Sequence, residues 1–233
     1  MEKCESNLMD SVDYVLTCED DIFMGLVTDV AKAVAHIHKR GVIHRDIKPD
    51  NLLFAEGSQR RSLKLCDFGL AVVASKSETL PGRFGTMPYM SPEMAASAGH
   101  SFSTDIWSLG ATLYLLTLGD LPYRPDKMCK EHLKLAIITG CLKPSYLPVM
   151  PDLPSRPAPL MELIQQMLSR DRSQRPSAQR LVSHEALGMA TAGSRVRQAI
   201  CDAPGKLKAA LRLKVHFGCW RAQKSDDEDE ILG

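Results

Sequence analysis

The sequence predicts a mainly α-helical domain with one short β-hairpin. Three observations carry that expectation. Apolar residues recur at helical spacing over 21–39, the stretch 105–118 is apolar almost all the way round, and two short apolar runs at 51–54 and 63–65 flank a polar connection.

In chain order, Ile22, Leu26, Val30, Ala33, Val34 and Ile37 lie on one helical stripe, so Asp21 to Lys39 predicts an amphipathic helix. Gly41, just past basic Lys39 and Arg40, is a natural stop, because glycine takes the left-handed backbone that ends helices. Asn51 to Phe54 and Leu63 to Leu65 read as strands, joined by a long turn over Ala55 to Ser62 that contains Gly57. Asp105 to Leu118 lacks a polar face, which predicts a helix at the centre of a domain rather than on its surface. The proline-rich stretch Pro144 to Pro159 must be irregular. Leu160, Leu163, Ile164, Met167 and Leu168 then mark another amphipathic helix, and Pro176 to Ser183 a short one. There is no internal repeat.

With 233 residues, a net charge of +1 and 44% apolar residues, the chain suits one good-sized domain with a tail. No global basic excess exists, so nucleic-acid binding is not expected. The N-terminus is polar and mildly acidic, unlike a signal peptide, and 106–118 is too short and too rich in Ser, Thr and Gly to span a bilayer. The seven cysteines are scattered singly, with no CxxC pair and no Cys/His ligand spacing. Reduced thiols in an intracellular, cytoplasmic protein are the expectation, with neither a disulfide framework nor a zinc site.

The character changes near His184, so the domain is expected over 1–184 and a poorly ordered tail over 185–233. Within the tail, 195–224 carries Arg195, Arg197, Lys206, Lys208, Arg212, Lys214, Arg221 and Lys224 and precedes the acidic run that follows Ser225. A solvated tail is the simplest reading. The sharper one is a basic amphipathic helix over Leu207 to Trp220 that touches an acidic partner or a membrane surface, with Ser225 open to an acid-directed modification.

The chemistry concentrates in His44-Arg45-Asp46-Ile47-Lys48-Pro49-Asp50-Asn51 and Asp67-Phe68-Gly69. Asp46 and Asn51 fit the spacing H-R-D-x-x-x-x-N, in which the aspartate takes the proton of an attacking hydroxyl and the asparagine holds a metal. Phosphoryl transfer needs little covalent help. The protein must align the nucleophile and neutralise charge on the phosphates, which a carboxylate and magnesium-binding oxygens do from one loop. Asp67, in the turn opened by Gly69, offers the hard oxygen that magnesium prefers.

These motifs, with three more in order, resemble the large C-terminal lobe of a eukaryotic serine/threonine protein kinase from residue 1 to about Ser183. Gly85-Thr86-Met87-Pro88-Tyr89-Met90-Ser91-Pro92-Glu93 is similar to the end of an activation segment, with Ser91 where the family commonly has alanine. Asp105-Ile106-Trp107-Ser108-Leu109-Gly110 resembles the start of the central buried helix. Arg175 matches the arginine that pairs with the Glu93 position. The resemblance implies that Asp46 and Lys48 are catalytic, that Asn51 and Asp67 bind Mg2+, and that Thr86 ties the substrate loop to Asp46. It also implies ATP as cofactor and Ser/Thr hydroxyls of proteins as substrates. His44 and Phe68 resemble members of the hydrophobic spine, and Asp105 its anchor. Arg45 goes with control by phosphorylation of the activation segment, which offers Ser75, Ser77 and Thr79; an unmodified solvated loop is equally compatible. Cys66 reads as a small buried hydrophobe rather than a reactive thiol.

No G-x-G-x-x-G, no Val-Ala-Ile-Lys-like lysine and no helix to supply its glutamate partner precede His44. Met1 to Glu5 resembles the inter-lobe hinge, with Met1 at the gatekeeper position, and Glu2 and Cys4, with Leu53, are expected at the adenine. The expected fold is thus a kinase-like large lobe with the N-terminal lobe missing. Weak activity is expected of such a chain, because losing even one preorganised donor costs about 10²–10³ in rate. Two readings stay open: a Ser/Thr kinase, or a non-catalytic binding or regulatory module.

Overall fold

A computed structural model describes residues 4–55, 62–125 and 129–188. Glu2, the basic 195–224 segment and Ser225 lie outside the described residues. The elements run β1 (Cys4–Asn7), α1 (Val12–Thr17), α2 (Asp20–Lys39), β2 (Val42–Ile43), β3 (Leu52–Ala55), β4 (Leu63–Leu65) and β5 (Val72–Val73). Then follow α3 (Pro92–Ala95), α4 (Ser103–Leu118), α5 (Lys130–Thr139), α6 (Ala158–Met167), α7 (Ala178–Val182) and α8 (Glu185–Gly188).

α4 is the axis on which the rest is arranged. Every residue from Thr104 to Leu118 is buried, as a helix without a polar face requires. Two of its hydroxyls bond back one turn: Ser108 Oγ donates to the Thr104 carbonyl at 3.1 Å and Thr112 Oγ1 to the Ser108 carbonyl at 2.9 Å. α6 packs against it at close range. A Cβ at Gly110 would stand 2.9 Å from Met167 Cβ, so the missing side chain is what admits α6.

α2 follows the predicted stripe in part. Leu26, Val30 and Val34 are buried while Ile22, Ala33 and Ile37 are half-buried, because the buried face is turned toward Phe23, Val27 and Ala31. The helix packs on α7 and β4. Asp20 and Asp21 in its first turn and His38 and Lys39 in its last complement the helix dipole.

The predicted hairpin is β3 and β4, antiparallel with Leu52 opposite Leu65 and Phe54 opposite Leu63. β1 adds a third strand along β3, with a register shift between Cys4 and Asn7. The chain at Cys4 is therefore paired backbone, and Leu53, opposite Asn7, sits in the central strand. β2 and β5 form a separate two-stranded ladder, Val42 to Val73 and Ile43 to Val72.

Helices α1 and α5 carry no long periodic stripe and are held by their surroundings. α1 has six residues, too few to persist alone. Its last carbonyls are collected by Arg156: Nη2 donates to Val15 at 3.0 Å and Leu16 at 3.2 Å, and Nη1 to Cys18 at 2.9 Å. Nη1 also meets Asp20 Oδ1 at 2.8 Å, and the guanidinium lies 4.1 Å over the Phe23 ring. The irregular proline-rich stretch thus delivers one buried cation to the α1–α2 corner. Packing continues to α8, where Ala186 and Leu187 are buried. No described helix is long and apolar enough to cross a membrane.

Candidate active site

The site forms where three local structures converge: the loop after β2, the turn after β4 and the segment before α3. Asp46 is its hub. Oδ2 accepts from Lys48 Nζ at 2.8 Å and from Asn51 Nδ2 at 3.2 Å, while Oδ1 accepts from the Thr86 amide at 2.9 Å and Thr86 Oγ1 at 2.8 Å. Lys48 Nζ also reaches Thr86 Oγ1 at 2.7 Å, and Asn51 Nδ2 the Asp46 carbonyl at 2.8 Å. All of Asp46, Lys48 and Asn51 are buried. A buried carboxylate with four donors, one of them the Lys48 ammonium, is fixed in orientation.

Thr86 can reach Asp46 because of Gly85. Its φ is +97°, and a Cβ there would stand 2.3 Å from the Arg45 carbonyl oxygen. Backbone passes over backbone at that point, which no side chain permits.

Asn51 and Asp67 meet through the hairpin. The Cys66 amide donates to the Asn51 carbonyl at 2.9 Å, immediately below the Leu52–Leu65 pair, so Asp67 follows one residue on. Asp67 is exposed with φ +59°, a left-handed backbone unusual outside glycine, and its Oδ1 accepts from the Gly69 amide at 3.3 Å. With its amide nitrogen given to Asp46, Asn51 presents a carbonyl oxygen as its remaining polar atom. An amide oxygen and an exposed carboxylate make a donor set that fits Mg2+, which takes few protein oxygens and keeps waters or phosphate for the rest. Among the described residues no group of three His, Cys, Asp or Glu side chains could hold a metal. Cys66 itself is half-buried, its thiol directed at the Asn51 carbonyl at 3.3 Å.

Beneath the loop, Asp105 on α4 holds the backbone of the His44–Arg45 turn. Oδ2 accepts from the His44 amide and Oδ1 from the Arg45 amide, both at 2.8 Å. These bonds support Arg45 at φ +69°. The His44 ring packs edge-on to Phe68 at 4.9 Å, and its Nε2 lies 2.9 Å from the Cys66 carbonyl. Arg45 donates through Nε to the Leu70 carbonyl and lies 3.9 Å over Phe84. Ser75, Ser77 and Thr79 are all exposed, with the Ser75 amide bonded to Glu78 Oε2 at 3.0 Å.

Arg175 and Glu93 form a two-pronged pair, Nη1–Oε1 at 2.6 Å and Nη2–Oε2 at 2.8 Å. Burial pushes the Glu93 carboxyl up, but the hydrogen bonds and charge of Arg175 outweigh it and leave the group below its usual range. Tyr89, buried beside the loop with no hydroxyl partner, is raised far above a normal phenol, first by burial and then by Asp50 and Asp46, and stays neutral.

Three contributors escaped the sequence reading. His38, at the end of α2, places Nε2 2.8 Å from Asp105 Oδ2 and so braces the same carboxylate that holds His44. Ser91, where alanine would serve, uses its hydroxyl twice: it caps α3 by accepting from the Met94 amide at 3.3 Å and bonds Thr104 Oγ1 at 2.5 Å. His100 pairs its backbone with Leu80 in both directions (2.8 and 2.9 Å) and its ring with Phe84. Apart from the Ser91 cap, which Ser91-Pro92-Glu93 signals locally, these contacts join positions far apart in sequence and no local motif announces them.

Comparison with known proteins agrees with the geometry. The sequence model of the family described as "Protein kinase domain" matches residues 1–187. A calcium and calcium/calmodulin-dependent serine/threonine-protein kinase from Lotus japonicus is 33% identical over 159 residues, covering 68% of this chain and 30% of that protein. The serine/threonine-protein kinase PEPKR2 from Arabidopsis thaliana is 31% identical over 190 residues, 79% of this chain and 37% of that protein. Mitogen-activated protein kinase kinase 1, also from Arabidopsis thaliana, is 30% identical over 185 residues, 78% of this chain and 51% of that protein. The chain thus spans about a third to a half of the length of these relatives.

Proposed function

This chain belongs to the protein kinase family, and from that premise we propose that its site transfers the γ-phosphoryl group of ATP to serine and threonine hydroxyls of proteins. The observation that carries the reading is the fixed Asp46–Lys48–Thr86 triangle. Asp46 is held where a substrate hydroxyl can give up its proton as attack begins, and Thr86 locks its second oxygen. Lys48 neutralises the charge that develops on the transferring group, at a position already paid for by Asp46 and Thr86. Asn51 and Asp67 would hold Mg2+, which when bound offsets the negative charge of the phosphates. Glu2 and Cys4, with Leu53, serve the adenine end. Glu93, Arg175 and Asp105 keep the loops in register rather than touching substrate. Phosphorylation at Ser75, Ser77 or Thr79 would act on the exposed segment that Arg45 and Phe84 anchor. The setting is intracellular, where lone thiols such as Cys18 and Cys141 stay reduced. The domain over 1–184 does this work, and we read 185–233 beyond it as a solvated tail whose basic 195–224 part offers charge to an acidic partner or membrane surface.

A second reading, a non-catalytic binding or regulatory module, draws on one observation. Phe68, Leu70 and Val73 are 46%, 37% and 76% exposed beside Asp67, an apolar face at the edge of a phosphate site. One experiment separates the two. The purified chain is incubated with Mg-ATP and a mixed library of Ser/Thr and Tyr peptides, and thermal shift with Mg-ATP is recorded alongside. Phosphotransfer to Ser/Thr that falls about 10²–10⁴-fold in Asp46→Asn supports the enzyme. Absence of both transfer and shift supports the module.

A further inference from the structure

A second concave surface lies away from the phosphate site, between the end of α4 and the proline-rich stretch. It is a cleft of about 380 Å³, lined among others by Tyr114, Leu142, Leu147, Pro148 and Val149. That is at the small end of the roughly 300–1,000 Å³ of ligand sites, room for a few side chains. Of the seven exposed large apolar side chains among the described residues, three line this cleft: Leu142 at 38%, Leu147 at 75% and Val149 at 49% exposure. Such clustering exceeds the scatter expected of single surface leucines.

The wall is built rather than loose. The Tyr114 hydroxyl donates to the Ser145 carbonyl, the Tyr114 and Tyr146 rings meet edge to face at 5.5 Å, and the Val149 amide donates to the Leu118 carbonyl at 2.9 Å. Three tethers to α4 hold the apolar side chains outward, so little ordering cost remains for an incoming group.

Charge selects the occupant. The single acid of the cleft, Asp120, is matched by Arg124 at 2.9 Å and by the Leu121 amide at 2.9 Å. Lys143 on the opposite rim has no hydrogen-bond or ion-pair partner among the described residues. The uncompensated charge is positive and stands beside the apolar floor. We propose that this cleft docks a short segment of a partner protein, with a bulky apolar side chain between Leu147 and Val149 and a carboxylate at Lys143. The site is separate from Asp46 and needs no phosphotransfer.

The test uses the full 233-residue chain and three fluorescein-labelled peptides, read by anisotropy: Ser-Asp-Leu-Phe-Asp-Ser, a version with Lys for Asp, and one with Ser for Leu and Phe. The first is expected to bind saturably and both others at least about tenfold more weakly. Leu147→Asp should weaken the first peptide by a similar factor, and Lys143→Glu should reverse the preference between acidic and basic peptides. Leu147 is exposed enough for this substitution to leave the core intact, which an unchanged melting curve verifies. No saturable binding of the apolar–acidic peptide, or binding indifferent to both variants, overturns the proposal. Sedimentation velocity adds the remaining outcome: a dimer split by Leu147→Asp would assign the face to a second copy of the chain and overturn the partner reading. Because binding is measured without ATP, a silent kinase assay leaves this result untouched.

Discussion

Asp105 and His44 are joined carboxylate to backbone: Oδ2 of the buried aspartate on α4 accepts the His44 amide at 2.8 Å. The other oxygen takes the Arg45 amide, so one side chain fixes two successive peptide units next to Asp46. Replacing it with asparagine removes the charge and turns one acceptor into a donor facing an N–H. Hydrogen bonds to charged groups contribute about 1.5–3 kcal/mol each, so Asp105→Asn should lower phosphotransfer about ten- to a hundredfold. Hydrogen exchange at the His44 and Arg45 amides should accelerate, while exchange in the middle of α4 stays slow. Unchanged exchange at both amides would show that the loop holds itself.

The Arg175–Glu93 pair connects positions 82 apart in sequence and is buried on the arginine side. Arg175 also donates to the Ser169 and Ser103 carbonyls at 2.8 and 3.0 Å, so the guanidinium ties the α6–α7 connection to α3 and α4. Removing one member of a buried pair costs about 3–5 kcal/mol, because the other charge is left in low dielectric. Arg175→Ala should therefore unfold at much lower urea, and Arg175→Lys should recover little, since an ammonium cannot make the forked contact. A urea midpoint for Arg175→Ala close to that of the native chain would contradict this.

Much of the architecture was legible because it is written in local patterns. The α2 stripe, the all-apolar α4 and the hairpin around residues 52–65 each follow from periodicity within one segment. Asp46, Asn51 and Asp67 stand in two short motifs, and the pairing of β3 with β4 brings the backbone of one motif beside the other. What sequence did not reveal depends on distant partners. α1 and α5 have weak patterns and exist through packing, and the strand character of β1 comes from its pairing with β3 rather than from its own sequence. His38 gains its role from Asp105 on α4, Ser91 part of its role from Thr104 on α4, and His100 its role from Leu80 and Phe84 in the segment before α3.

His100 gives the protein a pH dependence with a defined sign. The ring is fully buried, neither nitrogen has a hydrogen-bond partner at normal distance, and the Phe84 ring meets it edge-on at 5.8 Å. Burial first, and then the Arg45 cation, lower its pKa from 6.5, against weaker opposite pulls from the Gly82 backbone, Asp105 and Glu93. The unfolded chain consequently binds this proton more readily than the folded one. Stability from this group is complete above the ordinary histidine pKa and declines as pH falls below it, levelling off once the folded pKa is passed. The Glu93 contribution is lost only below the ordinary carboxylate range, which separates the two windows. Urea midpoints measured between about pH 5 and 8 should therefore fall on the acid side for the native chain and less so for His100→Phe. Parallel curves for the two proteins would remove His100 as the cause.

Arg156 makes the strongest case for a residue whose importance lies outside any motif. Its side chain is 1% exposed and serves three carbonyls at the end of α1 plus Asp20, whereas Asp20 itself is 47% exposed. The two partners should not cost the same to remove. Asp20→Asn leaves the guanidinium with its three carbonyls and deletes only a half-solvated ion pair, worth about 1 kcal/mol or less. Arg156→Met keeps most of the volume over Phe23 but strands carbonyls that a six-residue helix cannot satisfy internally. Each buried acceptor left alone costs about 1–3 kcal/mol, so a loss of about 3 kcal/mol or more is expected from Arg156→Met. Urea denaturation of the two variants reads the difference directly. Equal losses would mean that the ion pair, and not the capping of α1, is what holds the proline-rich stretch against α2.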